Sequence, residues 1–68
     1  MKKGDHVRWK WGSSHAEGKI VEVHHDEIEK EIKGKSIKRK GSKEDPALVI
    51  EQEDKDLVLK LASEVEKA

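Results

Sequence analysis

The sequence contains no cysteine, so neither a disulfide nor a cysteine-ligated zinc ion holds the fold together. Phenylalanine and tyrosine are also missing, and the aromatic residues are the two tryptophans, Trp9 and Trp11. A cage that binds methylated cations needs several aromatic faces. We therefore do not expect this chain to recognise methylated lysine or arginine.

Long apolar segments are absent as well. Met1 is followed by Lys2, Lys3 and Gly4, without the apolar run of a signal peptide. No segment approaches the roughly 20 apolar residues that a transmembrane helix needs. With the lack of cysteine, this pattern predicts a soluble, cytoplasmic protein with no membrane partner.

The chain has 68 residues, which predicts a single domain over 1–68 with a thin core. Charged residues make up 44% and hydrophobic residues 32%, a composition close to that of disordered chains. The net charge is zero, however, and the apolar residues cluster in strand-length runs. These two features favour a folded domain.

Alternation in the N-terminal segment predicts the first strand, from Asp5 to Trp11. Apolar residues at 7, 9 and 11 share one face of an extended chain, and basic residues or histidine at 6, 8 and 10 share the other. A turn over 12–15 leads to a second strand, Ala16–His25. We interpret this pair as the opening of a small β-barrel, with Trp9 in the core and Trp11 exposed at the strand end.

Two features suggest that the second strand is irregular. Gly18 lies inside it, where glycine marks a bulge or a close backbone contact. Ile20, Val21 and Val23 cannot all point the same way in a regular strand, so we expect Ile20 or Val21 to switch faces.

The segment Asp26–Arg39 has two interpretations. Ile28 and Ile32 are four residues apart and Gly34 fits a C-cap, which is typical of a short helix. The same two isoleucines also share a strand face, and a turn at Gly34 would return Ile37 beside them. We favour the hairpin, because so short a helix is marginal in water.

The C-terminal half predicts two further strands. Turn residues fill Gly41–Pro46, and the apolar run that follows, Ala47–Gln52, indicates a central strand covered on both faces. Leu57–Leu61 alternates, with its leucines directed inward. Ser63 and Glu66 have the spacing of a capping box, which predicts one closing helical turn.

A pattern that covers nearly the whole chain is carried by Lys3-Gly4-Asp5, Val7–Gly12, Ala16–His24, Asp45-Pro46-Ala47, Ile50-Glu51 and Leu61–Glu64. It resembles the pattern of the hypervirulence-associated protein Tudor-domain family. Leu48 departs from that pattern, since the family commonly has an aromatic residue there. The resemblance implies a mainly β fold, a small SH3-like or Tudor-like antiparallel barrel with a short C-terminal helical turn, and a non-catalytic binding role.

The zero net charge conceals a segregation of charge along the chain. Lys33–Lys43 carries six basic residues and no acid, and acidic segments flank it at Asp26–Glu31 and Glu44–Asp56. A lysine-rich segment of this kind is either a solvated loop or a set of phosphate contacts. The second interpretation predicts a nucleic-acid-binding barrel.

The four histidines do not have the spacing of a metal site. His24 and His25 are adjacent and point to opposite strand faces. His6 and His15, with Asp26 or Glu27, would need the hairpin to bring them together, and zinc needs three or four convergent ligands. No nucleophile elbow or phosphate loop is present, so we expect no metal, no cofactor and no enzyme activity.

The sequence thus predicts a binding module, with a protein or peptide partner as the first hypothesis and nucleic acid as the alternative. We expect a monomer or a weak homodimer paired through an exposed edge strand. The candidate contact residues are Arg8, Trp9, Trp11, Ser13 and His15, with Lys35, Lys38, Arg39 and Lys40 as an adjoining basic patch.

Overall fold

The computed structural model describes residues 2–32 and 34–68, with Trp11 described by its backbone alone. In this part of the chain there are seven strands and one 3₁₀ turn, η1. The strands are β1 (His6–Trp11), β2 (Ser14–His24), β3 (Glu27–Ile32), β4 (Lys35–Lys40), β5 (Ala47–Glu51), β6 (Leu57–Leu61) and β7 (Glu66–Lys67), and η1 is Ala62–Glu64.

Five strands form one antiparallel sheet in the order β6-β5-β2-β1-β7. The predicted mainly β fold and small antiparallel barrel are confirmed. In the described residues β6 and β7 stand at opposite ends of the order, so the sheet curls around its core without closing. Strand β7 was not predicted, and it pairs with β1 through Val7 and Arg8.

The barrel core forms on the face that the alternation of β1 predicted. Trp9 is 5% exposed and Val7 is fully buried, which confirms Trp9 as a core residue. The register places Trp9 opposite Ala16 and Val7 opposite Gly18, so small residues leave room for the large ones. The buried members of this cluster are Val7, Trp9, Ile20, Leu48, Ile50 and Val65.

Gly18 provides a close approach between β2 and β5. A β-carbon on Gly18 would lie 2.5 Å from Ile50 Cγ2 and 2.8 Å from the Glu51 carbonyl oxygen. The bulge of β2 lies further along, between Ile20 and Glu22. Because of this extra residue, Val23 returns to the barrel-core face that Ile20 occupies, whereas Val21 points to the opposite face. This is the predicted change of face.

Strands β3 and β4 form the predicted hairpin, as a separate two-stranded sheet. It packs across the face of β5 and β6 that points away from the barrel core, and this contact buries a second apolar cluster. The cluster consists of Ile28, Ile32, Ala47, Val49 and Leu59, with Val21, Ile37, Leu57 and Leu61 at its margin. The tertiary surface that a short helix would have needed is thus used by a hairpin.

Strand β5 is buried on both faces, as its continuous apolar run predicted. Leu48 and Ile50 point into the barrel core, whereas Ala47 and Val49 point into the second cluster, and all four are fully buried. In the sheet it lies between β6 and β2. Strand β5 therefore joins the two clusters into one structure.

The predicted capping box is wrong in position, although the helical turn is present. Leu61, not Ser63, precedes the turn, and the Leu61 amide donates to Glu64 Oε1 at 2.8 Å. The Ser63 amide and hydroxyl both donate to the Asp45 carboxylate. Glu66 belongs to β7, because the chain leaves η1 extended and pairs with β1.

Candidate binding surfaces

The outer face of the β1–β2 hairpin carries the first group of candidate residues. Arg8, Ser13 and His15 are exposed, whereas Trp9 lies in the core beneath this face. The Arg8 side chain is anchored, since its Nε donates to Glu66 Oε1 at 2.9 Å. The backbone of Trp11 ends β1, and its side chain lies outside the described part.

The histidines of the hairpin lie far apart along this face. His6 pairs with Lys19, and His15 pairs with Lys10, which is four residues further along β1. Four strand residues span about 13 Å. Within residues 2–32 and 34–68, no group of three or more His, Asp or Glu side chains could hold a metal ion.

Two open depressions lie beside the hairpin, where β2 faces the loop after β5. One is lined by His15, Ala16, Glu17, Gln52, Glu53 and Asp54, and the other by His6, Glu17, Gly18, Lys19, Glu51, Gln52, Glu53 and Lys55. Both are open to solvent and lined mainly by polar or charged side chains. Neither resembles the enclosed, largely apolar sites that bind small molecules.

The basic candidate residues lie on β4, at the outside of the β3–β4 hairpin. Lys35, Lys38 and Lys40 are exposed, and Arg39 is partly buried. Lys33 lies outside the described residues. The structure thus brings these four candidate residues together on one strand, separate from the β1–β2 face.

A row of carboxylates on β3 lies directly beside these cations. Glu27 pairs with Lys40 and Glu29 with Lys38 in the hairpin register. Lys38 Nζ also lies 3.6 Å from Glu27 Oε1, and Arg39 Nη2 lies 3.9 Å from Glu64 Oε2. Each basic residue that pairs on the outer face therefore has an acid as its neighbour.

This pairing was not predicted, because the acidic and basic segments are consecutive blocks in the sequence. The signal was present in the alternation of Glu27, Glu29 and Glu31, followed by Lys38 and Lys40 after a turn. When a hairpin folds two such segments together, side chains at paired positions share a face. The blocks then become two adjacent rows of opposite charge.

An ion-pair network links β2 to β3. Lys30 Nζ donates to Glu22 Oε2 at 2.7 Å, and His24 Nε2 donates to Glu22 Oε1 at 2.8 Å. These hydrogen bonds, that of Lys30 foremost, hold the pKa of Glu22 below its ordinary value. All three side chains are partly exposed, so the network fastens the hairpin to the barrel at the protein surface.

The described residues include no helix that is long and apolar enough to span a membrane. No curated protein matches the chain, and no solved structure matches it. A family model described as "Hypervirulence associated proteins TUDOR domain" matches residues 4–65. This match covers nearly all of the 68 residues and agrees with the barrel observed here, and the chain accordingly belongs to the family of hypervirulence-associated proteins with a TUDOR domain.

Proposed function

We propose that this protein is a non-catalytic binding module whose partner is a protein or peptide. A Tudor-type domain is compatible with a binding role. The described depressions are open and polar, which favours contact with a macromolecule over an enclosed substrate. The proposed contact surface is the β1–β2 hairpin, through Arg8, Trp11 and the segment 13–15.

The pairing of charge on the β3–β4 hairpin is the observation that carries the choice of partner. Nucleic-acid affinity comes largely from cations that neutralise backbone phosphates. On β4, Lys38 and Lys40 face carboxylates of β3, and Arg39 lies near a carboxylate of η1. The net charge of the chain is zero. A phosphate backbone lying across this outer face would meet the carboxylates of β3 as well as the lysines of β4, which favours a protein partner.

Arg8 supports the location of the proposed surface. One ion pair to Glu66 fixes the side chain through Nε, and in the described residues the terminal guanidinium nitrogens have no further partner. An anchored arginine loses less side-chain entropy on binding, and arginine and tryptophan are enriched among residues that dominate interfaces. The exposed turn residue Ser13 and His15 lie on the same hairpin.

An amide-shift titration of the labelled protein tests this function. The probes are lysine-rich histone-like peptides, a short RNA and a DNA duplex, each at two salt concentrations. We expect a peptide to shift the amides of residues 8–15, and we expect Arg8→Ala or Trp11→Ala to reduce that shift. The triple variant with Lys38→Glu, Arg39→Glu and Lys40→Glu should leave it nearly unchanged.

The nucleic-acid alternative makes the opposite prediction. RNA or DNA would shift the amides of 35–40, the affinity would fall steeply with salt, and the triple variant would abolish binding. That result, or the absence of any peptide shift in residues 8–15, would contradict the proposed function.

A further inference from the structure

Strand β4 has an exposed edge that can be located by the hydrogen-bond pattern of its hairpin. The Gly41 amide donates to the Asp26 carbonyl at 3.1 Å, just beyond the last ladder pair. Hydrogen-bonded pairs alternate along an antiparallel ladder, so Arg39 and Ile37 are the next residues of β4 that bond to β3. The backbone groups of Ser36, Lys38 and Lys40 therefore point away from β3.

No other strand occupies that edge in residues 2–32 and 34–68, where β4 pairs with β3 alone. Ser36, Lys38 and Lys40 are all exposed. An exposed edge strand offers a row of donors and acceptors to an extended peptide, whose main chain then adds to the sheet. We infer that the outer edge of β4 binds an acidic, extended segment of a partner protein by strand addition.

We expect the partner segment to be acidic, because the lysines of β4 already lie opposite glutamates on the other edge of this strand. Strand β3 places Glu29 opposite Lys38 and Glu27 opposite Lys40. A strand that pairs with the free edge of β4 would place every second side chain beside Lys38 and Lys40. Opposite charges at such cross-strand positions stabilise the sheet, and like charges destabilise it. The alternate side chains would lie beside the half-buried Ile37, which favours an apolar residue there.

A second copy of this chain does not fit the edge. If β3 of a second molecule paired with the free edge of β4, the two molecules would lie only two strand spacings apart, about 10 Å. The molecule measures 29 × 28 × 21 Å, so the two barrels would overlap. An antiparallel pair of two β4 strands centred on Lys38 would place the two Lys38 side chains opposite each other. A narrow extended segment avoids both problems.

Strand addition predicts which amides respond to a peptide. The probe is a blocked peptide with the β3 sequence Glu-Ile-Glu-Lys-Glu-Ile, and the control peptide replaces its three glutamates with lysine. We expect the acidic peptide to shift the amides of Ser36, Lys38 and Lys40 more than those of Ile37 and Arg39. The control peptide should leave them in place.

A proline at position 38 tests the main-chain contact. Proline is tolerated on an edge strand where the lost N–H faces solvent, and at position 38 that N–H points away from β3. We expect Lys38→Pro to weaken binding of the acidic peptide about tenfold relative to Lys38→Ala, which removes the same charge but keeps the N–H. Unchanged amide signals of β3 would show that the hairpin is intact in both variants.

Peptides methylated on their own amides give a readout that needs no variant protein. Two such peptides are compared, one methylated on its odd-numbered amides and one on its even-numbered amides. Only one of these sets of amides would point toward β4, so one peptide should lose binding and the other should keep it. Equal binding of both patterns, equal binding of the lysine control peptide, or the same shifts with single-stranded RNA would overturn strand addition at β4. This inference is independent of the β1–β2 surface, because its amide shifts fall in 36–40 rather than 8–15.

Discussion

Gly41 is required by the atoms around it. A β-carbon at this position would lie 2.5 Å from the His24 carbonyl oxygen and 2.6 Å from the Ala47 amide nitrogen. Both neighbours are backbone atoms, so neither can move without displacing the end of β2 or the start of β5. This residue allows β4 to leave its hairpin and pass between the two strands.

We expect Gly41→Ala to lower the free energy of unfolding by about 1–3 kcal/mol or more, the cost of overpacking a site that cannot relax. Urea denaturation followed by far-UV circular dichroism measures this change. Lys43→Ala, in the same loop but exposed, is the control and should change stability by less than about 0.5 kcal/mol. If Gly41→Ala left the free energy of unfolding unchanged, the ends of β2 and β5 would have to move apart at little cost.

Glu22 gives a pH-dependent contribution whose sign is fixed by its environment. Its pKa in the folded protein lies below the ordinary value of 4.5, chiefly because of its hydrogen bond to Lys30. The folded state therefore binds this proton less readily than the unfolded chain does. The stabilisation is present above about pH 4.5 and disappears as the pH falls through the lowered pKa of the folded state.

For Glu22→Gln we expect a loss of up to about 1 kcal/mol at pH 7, the scale of a partly exposed ion pair. The difference from the parent protein should shrink as the pH falls through the lowered pKa of Glu22, because the parent carboxylate then becomes protonated as well. Unfolding measured at a series of pH values checks this. A stability difference that stays constant over this pH range would show that the carboxylate charge of Glu22 has no role. The control is Glu53→Gln, at an exposed position.

At the scale of the secondary-structure element, the β3–β4 hairpin is held by two kinds of contact. Its inner face buries Ile28 and Ile32 against β5 and β6, whereas its outer face aligns carboxylates with lysines. Burial provides most of the stabilisation, because each exposed cross-strand pair contributes only about 0.2–1 kcal/mol. The alternation of isoleucine and glutamate along β3 selects the register, since a slip by one residue would bring the glutamates to the buried face.

A double-mutant cycle at Glu29 and Lys38 measures the interaction energy of one such cross-strand charge pair. We expect Glu29→Lys and Lys38→Glu each to destabilise the protein, because each places like charges opposite one another. The combined exchange should recover most of the loss, with a coupling of about 0.5–1 kcal/mol. A loss in the double variant equal to the sum of the two single losses would mean that the two side chains do not interact.

At the scale of the whole molecule, β5 makes the barrel and the hairpin layer depend on each other. Its four buried residues alternate between the two apolar clusters, so neither cluster is complete without this strand. A chain of 68 residues buries only a small hydrophobic core, so the loss of either cluster would remove a large part of it. We therefore interpret the protein as one cooperative unit rather than a barrel with an accessory hairpin.

Cooperative unfolding is testable with two probes and two variants. Tryptophan fluorescence reports on β1, far-UV circular dichroism reports on all strands, and we expect their urea transitions to coincide. Leu48→Ala removes contacts in the barrel core and should cost about 2–5 kcal/mol. Val49→Ala, on the hairpin side, should shift both probes together as well, and separate transitions would contradict a single unit.

Much of this architecture was determined by the sequence itself, through alternation of apolar and polar residues within single strands. The inward face of β1 and the double burial of β5 followed from local patterns that each strand carries alone. The alternation of β6 also followed, but its leucines pack against the β3–β4 hairpin and not in the barrel core as predicted. The absence of cysteine and of long apolar runs likewise depends on composition and needs no fold. These features are local, and the sequence therefore predicts them directly.

The tertiary structure alone decided which segments became neighbours. The extra residue at Val21, the pairing of β7 with β1 and the contact of Ser63 with Asp45 depend on strands that are distant in the sequence. The sequence presents the basic residues as one consecutive block, and only the hairpin brings Glu27 and Glu29 beside Lys40 and Lys38. Charges interact through distance in space, so folding decides which charged groups are neighbours.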